Sequence, residues 1–362
     1  MTTIGIPKEI KSQEYRVGLT PSAVASLVAK GHQVMVETGA GLGAGYDDRA
    51  YEQAGARLTA TPQTIYQQAL ILKVKEPQPT EYEYLQPDSI LFTYLHLAAD
   101  EGLTKALMQS QACCIGYETV QTETGQLPLL APMSRIAGRL ATQYGAHFLT
   151  KHQGGRGVLL GGIAGVPAGR VVILGGGVVG TESAKVAIGM GAQVTILDVN
   201  LSRLAELETI LQGRAQLLYS HPDQIAEAVT QADLVIGAVL VPGAKAPLLI
   251  PKSLIAQMRP YSVLIDVAVD QGGCIETIRP TSHDQPTYLL ENVLHCGIPN
   301  LPGAVARSAT QALVNATFPF VLSLAEQGRT AIEQNPALAK GVNVDRGRLI
   351  HPQVRQAFPH LS

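Results

Sequence analysis

The sequence predicts an α/β protein with two doubly wound parallel-sheet domains joined by long helices, and three observations predict it. Arg170 to Leu174 is a short apolar run that ends in a glycine-rich turn and a helical pattern. Thr2 to Ile6, a helix opening at Thr20-Pro21, and Gln33 to Glu37 form a second strand–helix–strand unit at the N-terminus. Two long helical stretches, Pro132 to His152 and Gly303 to about Gln327, stand between and after these units. Alternating strands and helices place helices on both faces of parallel sheets, and 362 residues suffice for two such domains.

Composition narrows the function classes. Hydrophobic residues at 46% against 15% charged exclude a disordered chain. A net charge of −2 without a basic block gives nucleic acid no electrostatic footing. The most apolar helical run, Ala312 to Ala325, is interrupted by Asn315 and Pro319, so no membrane span is expected. The N-terminus runs straight into a strand without a signal-peptide pattern. Cys113, Cys114, Cys274 and Cys296 form no C-x-x-C pair and read as core thiols of a reducing compartment, hence a cytoplasmic protein. Neither metal-ligand spacing nor a nucleophile elbow is present, and no metal is expected.

In chain order, Pro7 closes the first strand and the polar loop Lys8 to Tyr15 delivers Arg16. Thr20 caps the first helix and Pro21 occupies its first position; Gly31 ends it. The glycine-rich loop Thr38 to Tyr46 lacks the Lys-Ser/Thr pair of a phosphate loop and reads as a lid or tight packing. Helical pieces follow near Asp47 to Ala54 and Thr61 to Gln68. Strands are expected at Ala69 to Val74, Ser89 to Tyr94 and Ala112 to Gly116, with a helix over Asp100 to Gln109. In the helix Pro132 to His152, Ile136, Leu140, Tyr144 and Phe148 recur every four residues. Later strands are expected near Ala215 to Tyr219, Asp233 to Gly237 and Ser262 to Asp266, with His295 to Ile298 as the last. The domain assignment is residues 1–130 with 304–362 for one unit and 131–303, including the connecting helix, for the other.

The second unit carries a dinucleotide fingerprint. Gly175, Gly177 and Gly180 satisfy G-x-G-x-x-G between a strand and a helix starting at Val178, and the next apolar run, Val194 to Leu197, ends in Asp198. Gly175 permits the tight turn, Gly177 lets backbone approach a pyrophosphate, and Gly180 lets helix pack on strand. The helix N-terminus attracts the phosphates. Asp198 suits a ribose 2′-hydroxyl, which favours NAD over NADP; Arg203 just beyond is the residue type that meets a 2′-phosphate, so that preference stays open here. A nicotinamide enzyme also needs a substrate anchor and a proton-transfer group. Lys75 and His96 stand just beyond strand ends, where ligands bind in open parallel sheets, and Arg16 lies in the loop after the first strand. Arg16 suits a carboxylate, Lys75 adds a second positive charge, His96 is the natural proton-transfer group by residue type, and Asp270 can take a proton or hold an ammonium. Each has an ordinary role as well: Arg16 in an ion pair, Lys75 in solvent, His96 in a core, Asp270 in a turn.

Several motifs then converge. The run Gly-Ile-Pro-Lys-Glu-Ile-Lys…Tyr-Arg-Val-Gly-Leu-Thr-Pro from Gly5 to Pro21 is one, and Val-Lys-Glu-Pro at Val74 and Tyr-Leu-His-Leu at Tyr94 are two more. Pro-Met-Ser at Pro132, Asp-Val-Ala-Val-Asp-Gln-Gly-Gly at Asp266 and Asn-Leu-Pro-Gly at Asn300 complete the set. Along essentially its whole length the chain resembles the alanine dehydrogenase family, whose relatives include the NAD(H)-binding part of proton-translocating transhydrogenase. The resemblance implies reversible conversion of L-alanine, NAD⁺ and water to pyruvate, ammonium and NADH. It implies that Arg16 and Lys75 bind the substrate carboxylate and carbonyl region, that His96 is the acid/base, and that Asp270 assists proton transfer and cofactor positioning. Tyr94, Met133 and Asn300 fall at the substrate. Ser134, Val178, Val179, Asp198, Arg203, Ser220, Val239, Leu240, Val267, Arg279, Ile298, Asn300 and Leu301 fall where the family contacts NAD, beside Gly175, Gly177 and Gly180. A homohexamer is the implied assembly. A metal site that some members hold in the late helix is not carried over, because Ser323 and Gln327 stand there. Two other readings remain: an NAD(H)-binding module serving a membrane proton pump, and a dehydrogenase making saccharopine from lysine and 2-oxoglutarate. The second needs another carboxylate anchor, which the sequence does not offer.

Overall fold

The computed structural model describes residues 1–239 and 246–361. Contacts divide the chain into two compact units, Met1–Met133 together with Gly303 onward, and Ser134–Pro302. The first unit holds β1 (Thr3–Ile6), β2 (Gln33–Glu37), β3 (Arg57–Thr59), β4 (Leu70–Leu72), β5 (Ile90–Thr93) and β6 (Cys113–Gly116). The second holds β7 (Arg170–Leu174), β8 (Gln193–Asp198), β9 (Gln216–Tyr219), β10 (Leu234–Gly237), β11 (Val263–Asp266), β12 (Tyr288–Leu290) and β13 (Val293–Cys296). Two strands, β14 (Val342–Asp345) and β15 (Arg348–Leu349), belong to the first unit again.

The first sheet runs β15-β14-β6-β5-β4-β1-β2-β3 and the second β12-β13-β11-β10-β7-β8-β9. All pairings are parallel except those of β14 with β6, β15 with β14, and β12 with β13. Counted by order of appearance, both parallel cores read third, second, first, fourth, fifth, sixth. Each sheet therefore reverses direction once, between β1 and β4 in the first and between β7 and β10 in the second. Loops diverge there at the C-terminal strand ends and leave a crevice suited to ligands.

Local chemistry explains the elements that frame these crevices. The helix Pro21–Ala29 starts where the Thr20 hydroxyl accepts from the Ala23 amide at 3.3 Å, and it buries Ala23, Val24 and Leu27. The helix Val178–Gly189 is held against Ala131–Phe148 by small residues. A Cβ on Gly138 would lie 2.2 Å from the Val179 carbonyl oxygen, and the Thr142 and Ser183 hydroxyls donate to the Ser183 and Gly138 carbonyls at 2.9 and 2.8 Å. Beneath the second crevice Leu174, Leu197, Val235 and Leu264 form one apolar core. Beside the first, Ile71, Leu91, Leu95 and Cys114 share another with Val344 and Leu349 of the returning strands.

Several expectations need correction. The helix from Pro132 ends at Phe148 rather than His152, because Gly155 turns its amide back to the Thr150 carbonyl around a short 3-10 turn at Lys151–Gln153. The strand expected at His295 to Ile298 lies at Val293–Cys296, and it is not the last, since β14 and β15 follow. Neither β3 nor β12 was anticipated. All four cysteines are buried free thiols, and among the described residues no helix is long and apolar enough to cross a membrane.

Candidate active site

The first sheet gathers a dense set of charges where it reverses. Arg16 is 3% exposed. Its Nε and Nη2 donate to the two carboxylate oxygens of Glu14 at 2.6 Å each, a side-on fork, and Nη1 faces the Met133 sulfur at 3.0 Å. Burial opposes both charges, yet each holds the other ionised: the Glu14 carboxyl sits below its usual range and the Arg16 guanidinium above. Just past β4, the Glu9 carboxylate accepts from the Val74 amide at 2.6 Å and the Lys75 amide at 3.3 Å, fixing the backbone that carries Lys75. Beneath it the fully buried Lys73 ammonium lies 3.3 Å from Glu9 and 3.0 Å from Glu81, whose carboxylate also accepts from the Tyr66 hydroxyl at 2.7 Å. The Lys75 ammonium makes no hydrogen bond or ion pair among the described residues, and burial, reinforced by Arg16, pushes it below the ordinary lysine range. A half-buried cation beside a neutralised Arg–Glu pair is a receptor for one carboxylate.

His96 follows β5 in a left-handed backbone conformation, with φ at +50°. Histidine adopts this more readily than branched residues, but it still needs support. Glu118, in the 3-10 turn Tyr117–Thr119 after β6, supplies it: its carboxylate accepts from the His96 amide at 2.7 Å and the Leu95 amide at 3.2 Å. The Tyr94 ring lies parallel to the imidazole at 5.9 Å, and its hydroxyl donates to the Leu129 carbonyl at 2.7 Å. Burial pushes the Tyr94 phenol up, so that it stays protonated. Arg16, Lys75, Tyr94, His96 and Met133 thus all belong to the first unit. The structure pairs Arg16 with Met133 and Tyr94 with His96.

In the second unit the glycine turn is gripped from both sides. Asp198, at the end of β8, accepts from the Gly176 amide at 2.6 Å and from the Asn200 amide at 2.8 Å. Arg203 donates through Nε to the Gly176 carbonyl at 2.8 Å, through Nη2 to the Thr181 hydroxyl at 2.8 Å, and through Nη1 to Glu206 at 2.6 Å. Arg203 is therefore occupied in holding the turn. Gly175 has φ at +99°, and a Cβ there would strike the Ala238 carbonyl and approach Val239. A Cβ on Gly180 would lie 1.9 Å from the Gly175 carbonyl oxygen, whereas one on Gly177 would meet nothing within 4 Å. Gly177 opens the helix Val178–Gly189 without any side-chain cap, beside an exposed Val178 and half-buried Val179.

The remaining candidates distribute around this end of the sheet. Ser220 donates its amide to the Asp198 carbonyl at 3.0 Å, and Val267 to the Gly237 carbonyl at 3.0 Å. Asp270 is exposed in the turn Val269–Gln271. The buried Asp266 carboxylate positions that turn by accepting from the Ala268 and Cys274 amides at 3.0 and 2.7 Å. Past β13, Ile298 and Leu301 are buried, and the Asn300 carbonyl accepts from His283 at 3.2 Å. Arg279 lies 4.3 Å over the Tyr288 ring of β12, and Ser134 is half-buried on the helix Ala131–Phe148. Leu240 falls outside the described residues. Sequence reasoning missed Glu9, Glu14, Lys73, Glu118 and Asp266. Glu9 and Glu14 lie inside the Gly5 to Pro21 run and Asp266 opens its own motif, so three of the five stood within stretches already singled out.

Two family models match the chain: the alanine dehydrogenase/PNT N-terminal domain over residues 5–137, and the alanine dehydrogenase/PNT C-terminal domain over residues 141–352. The chain belongs to the alanine dehydrogenase/PNT family. An alanine dehydrogenase of Halomonas elongata is 53% identical over 357 residues, spanning 98% of this chain and 96% of its own length. A solved L-alanine dehydrogenase superposes with a TM-score of 0.97 at 58% identity, covering 99% of this chain and all of the other. The transhydrogenase of Sinorhizobium meliloti is further away, with a TM-score of 0.82 at 25% identity over 97% of this chain and 99% of its own. The family's C-terminal model spans residues that fold with both compact units, because Gly303 onward packs with the first.

Proposed function

We propose that this chain catalyses the reversible, NAD-dependent oxidative deamination of L-alanine to pyruvate and ammonium. The observation that carries the reading is the half-buried Lys75 ammonium, without an ion-pair partner among the described residues, beside the Glu14–Arg16 fork, with His96 after the next strand of the same sheet. The far higher identity to alanine dehydrogenases than to the transhydrogenase favours amino-acid chemistry over a module of a proton pump.

The nucleotide residues fit NAD: the turn Gly175–Gly180 leaves space at Gly177, the helix behind it has uncapped amides, and Asp198 is the acid at the end of the second strand. Val178, Val179, Ser220, Val239, Val267, Arg279, Ile298, Leu301 and Ser134 complete the proposed set. When bound, NAD⁺ supplies the hydride acceptor. Lys75 and Arg16 hold the substrate carboxylate, Tyr94 and Met133 shape the substrate pocket, and Asn300 is a further substrate-binding residue. His96 acts as base toward the water that adds to the substrate imine, then as acid toward the departing ammonia. Asp270 assists proton transfer and cofactor placement. We assign the assembly as a homohexamer and the compartment as the cytoplasm; the family resemblance supports the first and four buried free thiols the second.

The test is to mix the protein with L-alanine and NAD⁺ at mildly alkaline pH and follow NADH absorbance, with NADP⁺ and L-lysine in parallel. A rise with alanine and NAD⁺ alone supports the reading. Tight NADH binding without a rise overturns it in favour of a transhydrogenase module.

A further inference from the structure

The charges around Lys75 are matched, and the match has a consequence for substrate choice. Glu14 neutralises Arg16 through two 2.6 Å contacts and accepts from the Arg16 amide at 3.0 Å. Glu76 neutralises Lys11. Glu9 and Glu81 flank Lys73. Lys75 alone among these cations faces no acid at ion-pair distance within the described residues. Lys75 is therefore the one cation of this set with no acid against it, which suits one carboxylate. A second carboxylate on the substrate would enter a buried place whose other cations are already countered, which is strongly unfavourable.

We infer that Glu14 is a specificity-determining residue: by neutralising Arg16 it restricts this site to monocarboxylates such as alanine and pyruvate and rejects dicarboxylates such as aspartate and oxaloacetate. The inference rests on the reading of Arg16 and Lys75 as the carboxylate anchor. Size contributes as well, because Met133 stands against Arg16, but size does not distinguish an acid from its amide. Charge does. Glu14→Gln removes the counter-charge and leaves the shape, so the anchor carries one more uncompensated positive charge to offset a second carboxylate on the substrate.

The experiment measures reductive amination of pyruvate and of oxaloacetate with NADH and ammonium, in the native protein, Glu14→Gln and Glu14→Asp. The ratio of kcat/KM for oxaloacetate over pyruvate is expected to rise at least tenfold in Glu14→Gln and to stay near the native value in Glu14→Asp. An unchanged ratio in a Glu14→Gln protein that still turns over pyruvate overturns the inference. A second measurement needs no variant: L-asparagine should compete with L-alanine on the native protein at least tenfold better than the isosteric L-aspartate. Equal competition by the two overturns the inference even where Glu14→Gln does not fold. Absence of alanine turnover in the native protein sinks the functional reading instead, so the two failures are distinguishable.

Discussion

The His96 amide donates to the Glu118 carboxylate at 2.7 Å, and this contact holds His96 in a left-handed backbone conformation. Tyr94, two residues earlier, lays its ring along the imidazole. The direction of the imidazole is thus set from the end of the neighbouring strand β6 as well as from its own loop. Strain of this kind persists only where surrounding contacts over-determine it.

His96→Ala is expected to lower kcat for alanine by about 10²–10⁴-fold, the usual span for a lost acid/base, while NADH affinity stays unchanged by fluorescence titration. Glu118→Gln should lower kcat as well, because a neutral amide oxygen accepts from the Leu95 and His96 N–H groups more weakly than a carboxylate does. In a His96→Ala background Glu118→Gln should lower the rate little further. A full additional loss there would assign Glu118 a separate role.

Gly177→Ala and Gly180→Ala should part company. The added methyl at Gly177 meets open space, so the melting temperature stays put while NADH affinity drops. The added methyl at Gly180 collides with the Gly175 carbonyl, so both stability and affinity fall. Equal behaviour of the two would argue against a nucleotide over Gly177. Asp198→Ala frees the Gly176 amide and should weaken NADH binding selectively, by roughly tenfold or more for a lost charge-assisted hydrogen bond of about 1.5–3 kcal/mol.

Lys73→Met leaves the buried Glu9 and Glu81 without their counter-charge. Breaking such a buried network by removing one partner costs about 3–5 kcal/mol, read as a shift in urea midpoint. Lys73→Met with Glu9→Gln should recover part of that loss, because one of the two uncompensated acids is then neutral. A Lys73→Met protein as stable as the parent would refute the network's importance.

Stability should decline as pH falls below about 6.5. Burial depresses His295, which is fully enclosed in β13 between the Val293 carbonyl and the Thr277 hydroxyl, and it depresses His351 and His32 as well. For each, the unfolded histidine binds its proton more readily than the folded one. The neutral form's contribution is therefore present above the ordinary value of 6.5 and is lost as pH drops through the lower folded value. Melting temperature is expected to fall on moving from about pH 7.5 to 5.5, and His295→Leu should flatten the slope. A slope identical in that variant would remove His295 from the account.

How far the sequence carried the fold depends on the range of the interactions involved. β2 and β7 fall on the bounds that periodicity predicts, because each is a local apolar run stopped by a turn. β12 and β13 are joined through Glu291 and Asn292, both with positive φ, a hairpin turn without the usual Asn-Gly signature. β14 and β15 are short and half polar; β14 becomes a strand only by pairing with β6 from a distant part of the chain, and β15 only by pairing with β14. The site behaved likewise. Residue type and strand-end position singled out Arg16, Lys75 and His96, but nothing local announced that Glu14 would close over the side-on edge of Arg16, or that Glu118 would reach back to the His96 amide. The path of a single loop fixes the first feature and a contact between separate loops the second, and propensity registers neither.

The order in which the chain is synthesised acquires meaning from β14. Ile115 has its edge partner only once Val342 exists, so the first sheet stays open on that side throughout synthesis of everything between them. The second unit is one continuous stretch and can complete its own sheet meanwhile. A chain interrupted late would therefore carry a finished nucleotide fold and an unsealed substrate fold, with a bare strand edge at β6 available to any other extended segment nearby.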